Sequence, residues 1–133
     1  MKSARIFAVA LLIVAGGLAL RVARSQQTSI KRTELQRHDL SIPGREVVQV
    51  RADFATGAAV PKHTHPGEEI IYVLEGTVEF QLEGQPPVTV KPGEVLFVPA
   101  GTVHTAKNVN SGNSVVLSTY IVEKGKPLLT LVQ

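Results

Sequence analysis

The sequence predicts an all-β fold, an antiparallel double-stranded jelly-roll barrel, and three observations lead to this prediction. Short segments alternate apolar and polar side chains, the pattern of half-buried strands. Glycine and proline turn signals separate these segments, roughly every 8–12 residues. After residue 25, no segment of ten or more residues shows the apolar repeat of an amphipathic helix. Such a pattern is typical of a β-sandwich or barrel.

The predicted strands follow one another with turns between them. In the clearest one, EVVQVRADF, every second side chain is apolar. The Glu75-Gly76 pair predicts a hairpin turn between two of these strands. The stretch 26–39 is interpreted as a polar segment ahead of the fold. The predicted strands are 46–54, 60–65, 69–74, 77–82, 88–90, 95–98, 103–109 and 115–122.

The first 25 residues have the order of a secretory signal. Lys2 and Arg5 precede the uncharged run 6–20, and small residues at 23–25 offer a cleavage site. We therefore expect two parts, a signal segment at 1–25 and one domain at 26–133. Cleavage near Ser25 and Gln26 would make the protein periplasmic or secreted. The alternative is an uncleaved N-terminal segment that anchors the chain to the membrane.

The charge distribution argues against nucleic acid as a partner. Four of the 14 Lys and Arg residues lie in the first 25 positions, and none of the 11 Asp and Glu residues does. The remainder carries 10 positive against 11 negative charges, a net charge of −1. Only 5% of the residues are aromatic and there is no Trp, which disfavours base stacking. The chain has no cysteine, so the fold must be held by core packing without disulfides.

The segment HTHPGEEI concentrates groups that bind metals. In a strand, residues two apart face the same side, so His63 and His65 project together. A bend at Pro66-Gly67 can fold the next strand back so that Glu69 joins the same cluster. Glu68 competes for this position, and only one of two neighbours in a strand can face inwards. Two imidazoles and a carboxylate suit a divalent transition metal, although a His-x-His pair also occurs by chance on surface strands.

Two motifs resemble those of the cupin superfamily. The first has a glycine, His-x-His, a glutamate and a second glycine at fixed spacing, and the second has a glycine, Pro-x-Gly, a histidine and an asparagine. All ten positions match, over about 52 residues. They are Gly57, His63, His65, Glu69 and Gly76 in the first motif, and Gly93, Pro99, Gly101, His104 and Asn108 in the second.

This resemblance implies a metal centre and turn glycines. His63, His65, Glu69 and His104 correspond to the metal ligands of the family, and they would hold one divalent ion per chain, Fe, Mn, Ni, Cu or Zn. Glu69 would also be the catalytic base. Asn108 either braces this site or is a structural amide of a turn. The four motif glycines are expected at turns with positive φ.

The pocket is expected to be small and largely apolar. By strand parity the apolar side chains Ile71, Val73, Val78, Phe80, Leu82 and Ala106 face the interior. No Arg or Lys is recognisable as an interior clamp for an anionic substrate, since Lys62 and Lys107 point outwards. His38 is interpreted as a surface histidine.

The resemblance leaves three functions open. The first is a metal-dependent oxidoreductase similar to the small quercetin-dioxygenase-like cupins, acting on a small organic molecule. The second is a binding or sensor module without catalysis, and the third is a metal-dependent isomerase or lyase. A homodimer is expected, with residues 42–54 and 128–132 as candidate interface strands because their edges would otherwise stay unpaired.

Overall fold

The computed structural model describes residues 29–133, and the all-β prediction is confirmed. The expected signal segment at 1–25 lies outside these residues. No helix in the described part of the chain is long and apolar enough to cross a membrane. The ten strands are β1 (Ile30–Asp39), β2 (Arg45–Phe54), β3 (Ala59–Thr64), β4 (Gly67–Glu75), β5 (Val78–Leu82), β6 (Val88–Val90), β7 (Val95–Val98), β8 (His104–Asn108), β9 (Ser114–Glu123) and β10 (Thr130–Leu131).

The strands form two five-stranded antiparallel sheets. The first has the order β1-β2-β9-β4-β7, and the second has the order β10-β3-β8-β5-β6. Successive strands often lie in different sheets, so the chain crosses repeatedly from one sheet to the other. This is the winding of a jelly roll.

The core lies between the inner faces of the two sheets. Ile71 and Val73 of β4 are almost completely buried, and so are Val78 and Val98 of the neighbouring strands. The six side chains that strand parity predicted to face the interior are all buried, which confirms that prediction. Burial of these side chains is the main stabilising contribution in a chain without disulfides.

The hairpin predicted at Glu75-Gly76 is wrong. β4 pairs with β7 and β9, whereas β5 pairs with β6 and β8, so Gly76 is a corner between the sheets. Its φ is 71°, and a Cβ there would lie 2.1 Å from Ser114 Oγ. The same Ser114 hydroxyl accepts a hydrogen bond from the Thr77 amide. Only glycine fits this corner. The apolar runs on its two sides are strands of different sheets, and in the sequence they look like the two strands of a hairpin. All four motif glycines have positive φ, as expected.

A second correction concerns the polar segment 26–39. Residues 30–39 form β1, which pairs antiparallel with β2 along its whole length. Nearly all its side chains are exposed, so it lacks the apolar alternation by which strands were predicted. β1 also occupies one edge of β2, and β9 occupies the other. The expectation that 42–54 offers a free edge is therefore wrong for β2. β10, within 128–132, pairs with β3 alone among the described strands.

Candidate metal centre

The four residues predicted as metal ligands come together between the two sheets. His63 of β3 and His104 of β8 are direct cross-strand partners in one sheet, and Glu69 lies on β4 of the other. His65 follows the end of β3. Their exposed fractions are 4% for His63, 5% for His65, 5% for Glu69 and 2% for His104.

The ligand atoms of the three histidines converge. One nitrogen from each of His63, His65 and His104 lies within 4.8 Å of the other two. Glu69 Oε2 lies 3.1 Å from His65 Nε2 and 3.1 Å from His104 Nε2. We call the three histidines the histidine cluster. Glu69 is thus close to two of the three histidines but lies outside the group of mutually close ligand atoms that they form.

Backbone carbonyls fix the orientation of every ring in the histidine cluster. The Nδ1 atoms of His63, His65 and His104 lie 2.7, 2.6 and 2.8 Å from the carbonyl oxygens of Pro61, Leu128 and Thr102. A carbonyl only accepts hydrogen bonds, so each Nδ1 carries the proton. In a neutral imidazole the lone pair then sits on Nε2. This is the arrangement by which proteins orient histidine ligands for a metal.

A buried nitrogen without a partner shows that the cluster is incomplete as a hydrogen-bond network. His65 Nε2 is near Glu69 Oε2, but the direction is unsuitable for a hydrogen bond, and the atom has no partner among the described residues. Buried polar atoms are rarely left unpaired. Three imidazole nitrogens and one carboxylate oxygen suit first-row transition metals. The residues present therefore fit a divalent transition metal.

Burial sets the charges of the cluster. It lowers the pKa of His63 to about 4, so this imidazole is neutral, the state that binds a metal. Burial alone would raise the pKa of the Glu69 carboxyl, but the close imidazoles of His104 and His65 outweigh it and lower that pKa below its usual range. The centre thus combines a neutral His63 imidazole with an ionised Glu69 carboxylate.

Two polar residues of β9 belong to the site and were missed. The Tyr120 ring centroid lies 4.7 Å from that of His65, and Tyr120 is the cross-strand partner of Glu69. Burial raises the pKa of the Tyr120 phenol, and the charge of Glu69 raises it further. Ser118 is buried on the same face and hydrogen bonds to Glu69. The available signal was strand parity, since Ser118 and Tyr120 occupy inward positions between Val116 and Val122.

Two spaces adjoin at the site, an inner cavity and an outer groove. The inner cavity, of about 30 Å³, lies against His63, Glu69 and His104. The outer groove, of about 280 Å³, runs between β1 and the segment around β10. The two spaces share Arg32, Val60 and Leu129 as lining residues. The polar residues that line the inner cavity are Arg32, His63, Glu69, His104, Ser118 and Tyr120.

Arg32 corrects the expectation that the cavity lacks a cationic side chain. It lies on β1 opposite Ala52, whose side chain is buried on the inner face, so Arg32 also faces inwards. The sequence pattern does not reveal this orientation, because β1 itself was not predicted. Lys62 and Lys107 are exposed, as expected.

The remaining residues singled out in the sequence lie away from the centre. Asn108 donates hydrogen bonds to the carbonyls of Ala55 and Gly112, and its Oδ1 accepts one from Ser114. It is therefore a structural amide that joins loops at the far end of β8, the second of its two interpretations. Glu68 is half-buried on the outer face of β4, and His38 is exposed.

Comparison with known proteins identifies the family. A model of the cupin domain matches residues 50–128. The dimethylsulfoniopropionate lyase DddQ of Ruegeria pomeroyi is 43% identical over 51 residues, which are 38% of this chain and 25% of that protein. Germin-like protein subfamily 2 member 2 of Arabidopsis thaliana is 39% identical over 87 residues, 59% of this chain and 40% of that protein. The chain thus spans at most two fifths of these relatives.

Solved structures show the same fold. The crystal structure of DddQ from Ruegeria pomeroyi matches with a TM-score of 0.66 at 24% identity, over 80% of this chain and 53% of that one. An oxalate oxidase in complex with the substrate analogue glycolate matches with a TM-score of 0.63 at 25% identity, over 78% of this chain and 55% of that one. With the family model covering more than half of its length, this chain belongs to the cupin family.

Proposed function

We propose that this protein is a metal-dependent enzyme that acts on a small organic molecule. His63, His65 and His104 would hold one divalent transition metal per chain, with Glu69 as the fourth ligand. One observation carries the proposal: each Nδ1 is engaged by a backbone carbonyl, so the three Nε2 lone pairs are free for a common partner.

Each residue around the centre would have its own role in catalysis. A bound divalent metal supplies Lewis-acid chemistry and, if it is redox-active, a place for O₂. Glu69, which is ionised and buried, is the base that takes a proton from the substrate. The neutral phenol of Tyr120 lies next to this carboxylate and orients it. Phe54, Phe80 and other apolar walls of the inner cavity exclude water.

Among reaction classes we propose an oxidoreductase with dioxygenase-like chemistry. Three imidazoles and one carboxylate accept redox-active ions such as Fe, Mn and Cu. The resemblance in fold to an oxalate oxidase at 25% identity supports the same class.

A second candidate is a metal-dependent lyase or isomerase that does not use O₂. A buried carboxylate beside a phenol is an acid–base pair suited to abstracting a proton, and the 43% identical segment of a lyase supports this class. A third candidate is a binding module without turnover, which the fold alone does not distinguish from an enzyme.

The first experiment is metal analysis. The full-length chain, purified from its native compartment and separately reconstituted, is expected to hold one divalent ion per chain by elemental analysis. Oxygen uptake with flavonols, β-diketones and oxalate then tests the oxidoreductase class. Turnover without oxygen uptake would favour the lyase or isomerase, and tight ligand binding without turnover would favour the module. No bound ion after reconstitution would contradict all metal-dependent candidates.

We propose export as well, from the signal-like order of residues 1–25. The cleaved protein would begin near Gln26 and lie in the periplasm or outside the cell. An intact mass corresponding to the chain from Gln26 is the expected result for protein from the envelope fraction. A mass equal to all 133 residues would favour the anchored alternative.

We also propose a homodimer, with the outer face of β4 and β7 in the interface. Five apolar side chains there are between 39% and 65% exposed, and cross-strand pairing places them side by side. They are Ile70, Tyr72 and Leu74 of β4, and Val95 and Phe97 of β7. A contiguous exposed apolar patch of this kind marks interaction sites, and a two-fold axis through it would cover both copies.

A further inference from the structure

We propose that Arg32 is the anion anchor of the substrate site, and that the ligand it selects is a small carboxylate with a short apolar chain. This proposal rests on the proposed function, because it names the substrate class of the same site. It goes beyond the family motifs, since β1 contains none of the motif residues.

The position of Arg32 carries the first step. Arg32 lines both the inner cavity and the outer groove, so a ligand that passes from one space to the other meets its guanidinium. Within residues 29–133 the Arg32 guanidinium makes neither an ion pair nor a side-chain hydrogen bond, whereas the guanidinium groups of Arg37 and Arg51 are both paired with carboxylates. An unpaired guanidinium at a cavity mouth offers a planar, bidentate donor for a carboxylate.

The shape of the two spaces carries the second step. The inner cavity, of about 30 Å³, has room for about as much as one water molecule occupies in the liquid. Only the reacting end of a substrate fits there, and the rest would lie in the outer groove, which shares Arg32, Val60 and Leu129 with the inner cavity. That groove is lined by Ile30, Ala59, Val60, Pro61, Leu129 and Leu131, besides Arg32.

The lining chemistry then defines the ligand. Arg32 is the sole charged side chain of the outer groove and sits where the groove meets the inner cavity. A carboxylate close to the reacting end can form an ion pair with the guanidinium, and an apolar chain of a few carbons can pack against the apolar walls of the groove. A large polar ligand such as a sugar would leave its hydroxyl groups unpaired against these walls.

The test measures binding to the metal-free full-length chain by calorimetry, with butyrate as the probe and butyramide as its neutral counterpart. Butyrate is expected to bind more tightly than butyramide. Arg32→Gln is expected to weaken butyrate binding roughly 10- to 100-fold, the worth of a hydrogen bond to a charged group. Arg32→Lys keeps the charge without the fork and is expected to fall in between. Lys31→Gln is the matched control, because Lys31 faces the opposite side of β1 opposite Asp53 and should leave binding unchanged.

A chain-length series tests the groove separately. Affinity is expected to rise roughly three- to fourfold for each CH₂ from acetate to butyrate, and Leu131→Ser should flatten that rise. Metal content of Arg32→Gln should equal that of the unmodified chain, because Arg32 is not a proposed ligand. Failure of the unmodified chain to bind a metal would contradict the proposed function but not the anion anchor, which is tested on the metal-free chain. Equal binding of butyrate and butyramide, butyrate binding unaffected by Arg32→Gln, or no butyrate binding at all would each overturn the anchor.

Discussion

The two faces of β4 differ in what they contact, although their residues look alike in the sequence. The inner face carries Glu69, Ile71 and Val73, all buried, and the outer face carries Ile70 and Tyr72, both 41% exposed. In β2 the outer face is mostly polar, as a solvated face should be. The apolar outer face of β4 is therefore the surface for which we propose the dimer contact, while the inner face contributes to the core and places Glu69 beside the histidine cluster.

The largest expected difference between the faces concerns metal binding. Glu69→Ala or His104→Ala should weaken metal affinity by more than the roughly 10–100-fold that is lost when a residue hydrogen-bonded to a ligand is removed. Glu68→Ala, on the outer face, and His38→Ala, on β1, should leave metal content nearly unchanged. Equilibrium dialysis against a competing chelator gives the affinities. Full metal content in His104→Ala together with loss in Glu68→Ala would show that the ligands are assigned wrongly.

The next effect is on the free energy of unfolding. Ile71→Ala is expected to lower it by about 2–5 kcal/mol, because Ile71 is 1% exposed and its removal leaves a cavity between the sheets. Ile70→Ala, one residue away on the outer face, should change it by at most about 1 kcal/mol. Urea titration of both variants at equal protein concentration makes the comparison. Equal losses would contradict the assignment of the two faces.

The histidine cluster should also make the metal-free protein sensitive to acid. The pKa of His63 is about 4 when folded, against 6.5 in the unfolded chain, so the unfolded state binds more protons in between. This contribution is complete above pH 6.5 and is lost as the pH falls towards 4, by about 2 kcal/mol. Urea titrations at pH 7 and pH 4.5 measure it. His63→Gln should reduce the step, and an unchanged step in that variant would assign it to other groups.

The smallest expected effect tests the outer face as an interface. Phe97→Asp should weaken the free energy of dimerisation by about 2 kcal/mol, because it removes an aromatic side chain from the contact and places a charge there. Thr33→Asp, exposed on β1, is the control and should leave the mass unchanged. Light scattering at micromolar concentration reports the mass. A monomer in the unmodified chain, or a dimer that survives Phe97→Asp, would argue against this surface.

The fold and the histidine cluster were predictable because chemistry restricts the residues that build them. A cluster of three imidazoles needs histidines at fixed spacing, and corners such as Gly76 need glycine, so both leave marks in the sequence. The Glu75-Gly76 pair still misled, because a hairpin and a corner between sheets require the same turn residues and the same apolar flanks.

The other features, β1, Arg32 and Tyr120, have weaker signals in the sequence. β1 is held by backbone pairing with β2 while its side chains stay in water, so no hydrophobic pattern reveals it. Arg32 lines the inner cavity only because of the register of that strand, which a sequence does not display. Tyr120 lies in an apolar run whose other members are core residues, and its role depends on a partner on β4 that is distant in sequence.

The hydrogen bond between His65 Nδ1 and the Leu128 carbonyl spans 63 residues. A short fragment around His63 and Glu69 lacks the Leu128 carbonyl that orients the His65 imidazole, so such a fragment cannot form the centre by itself. If the cluster binds a metal as proposed, this long loop would have to close before the full affinity appears. Metal binding would therefore be coupled to completion of the barrel. Removing the ion with a chelator should then loosen the segment around Leu128 as well as the ligands, and hydrogen exchange would detect this as faster amide exchange there.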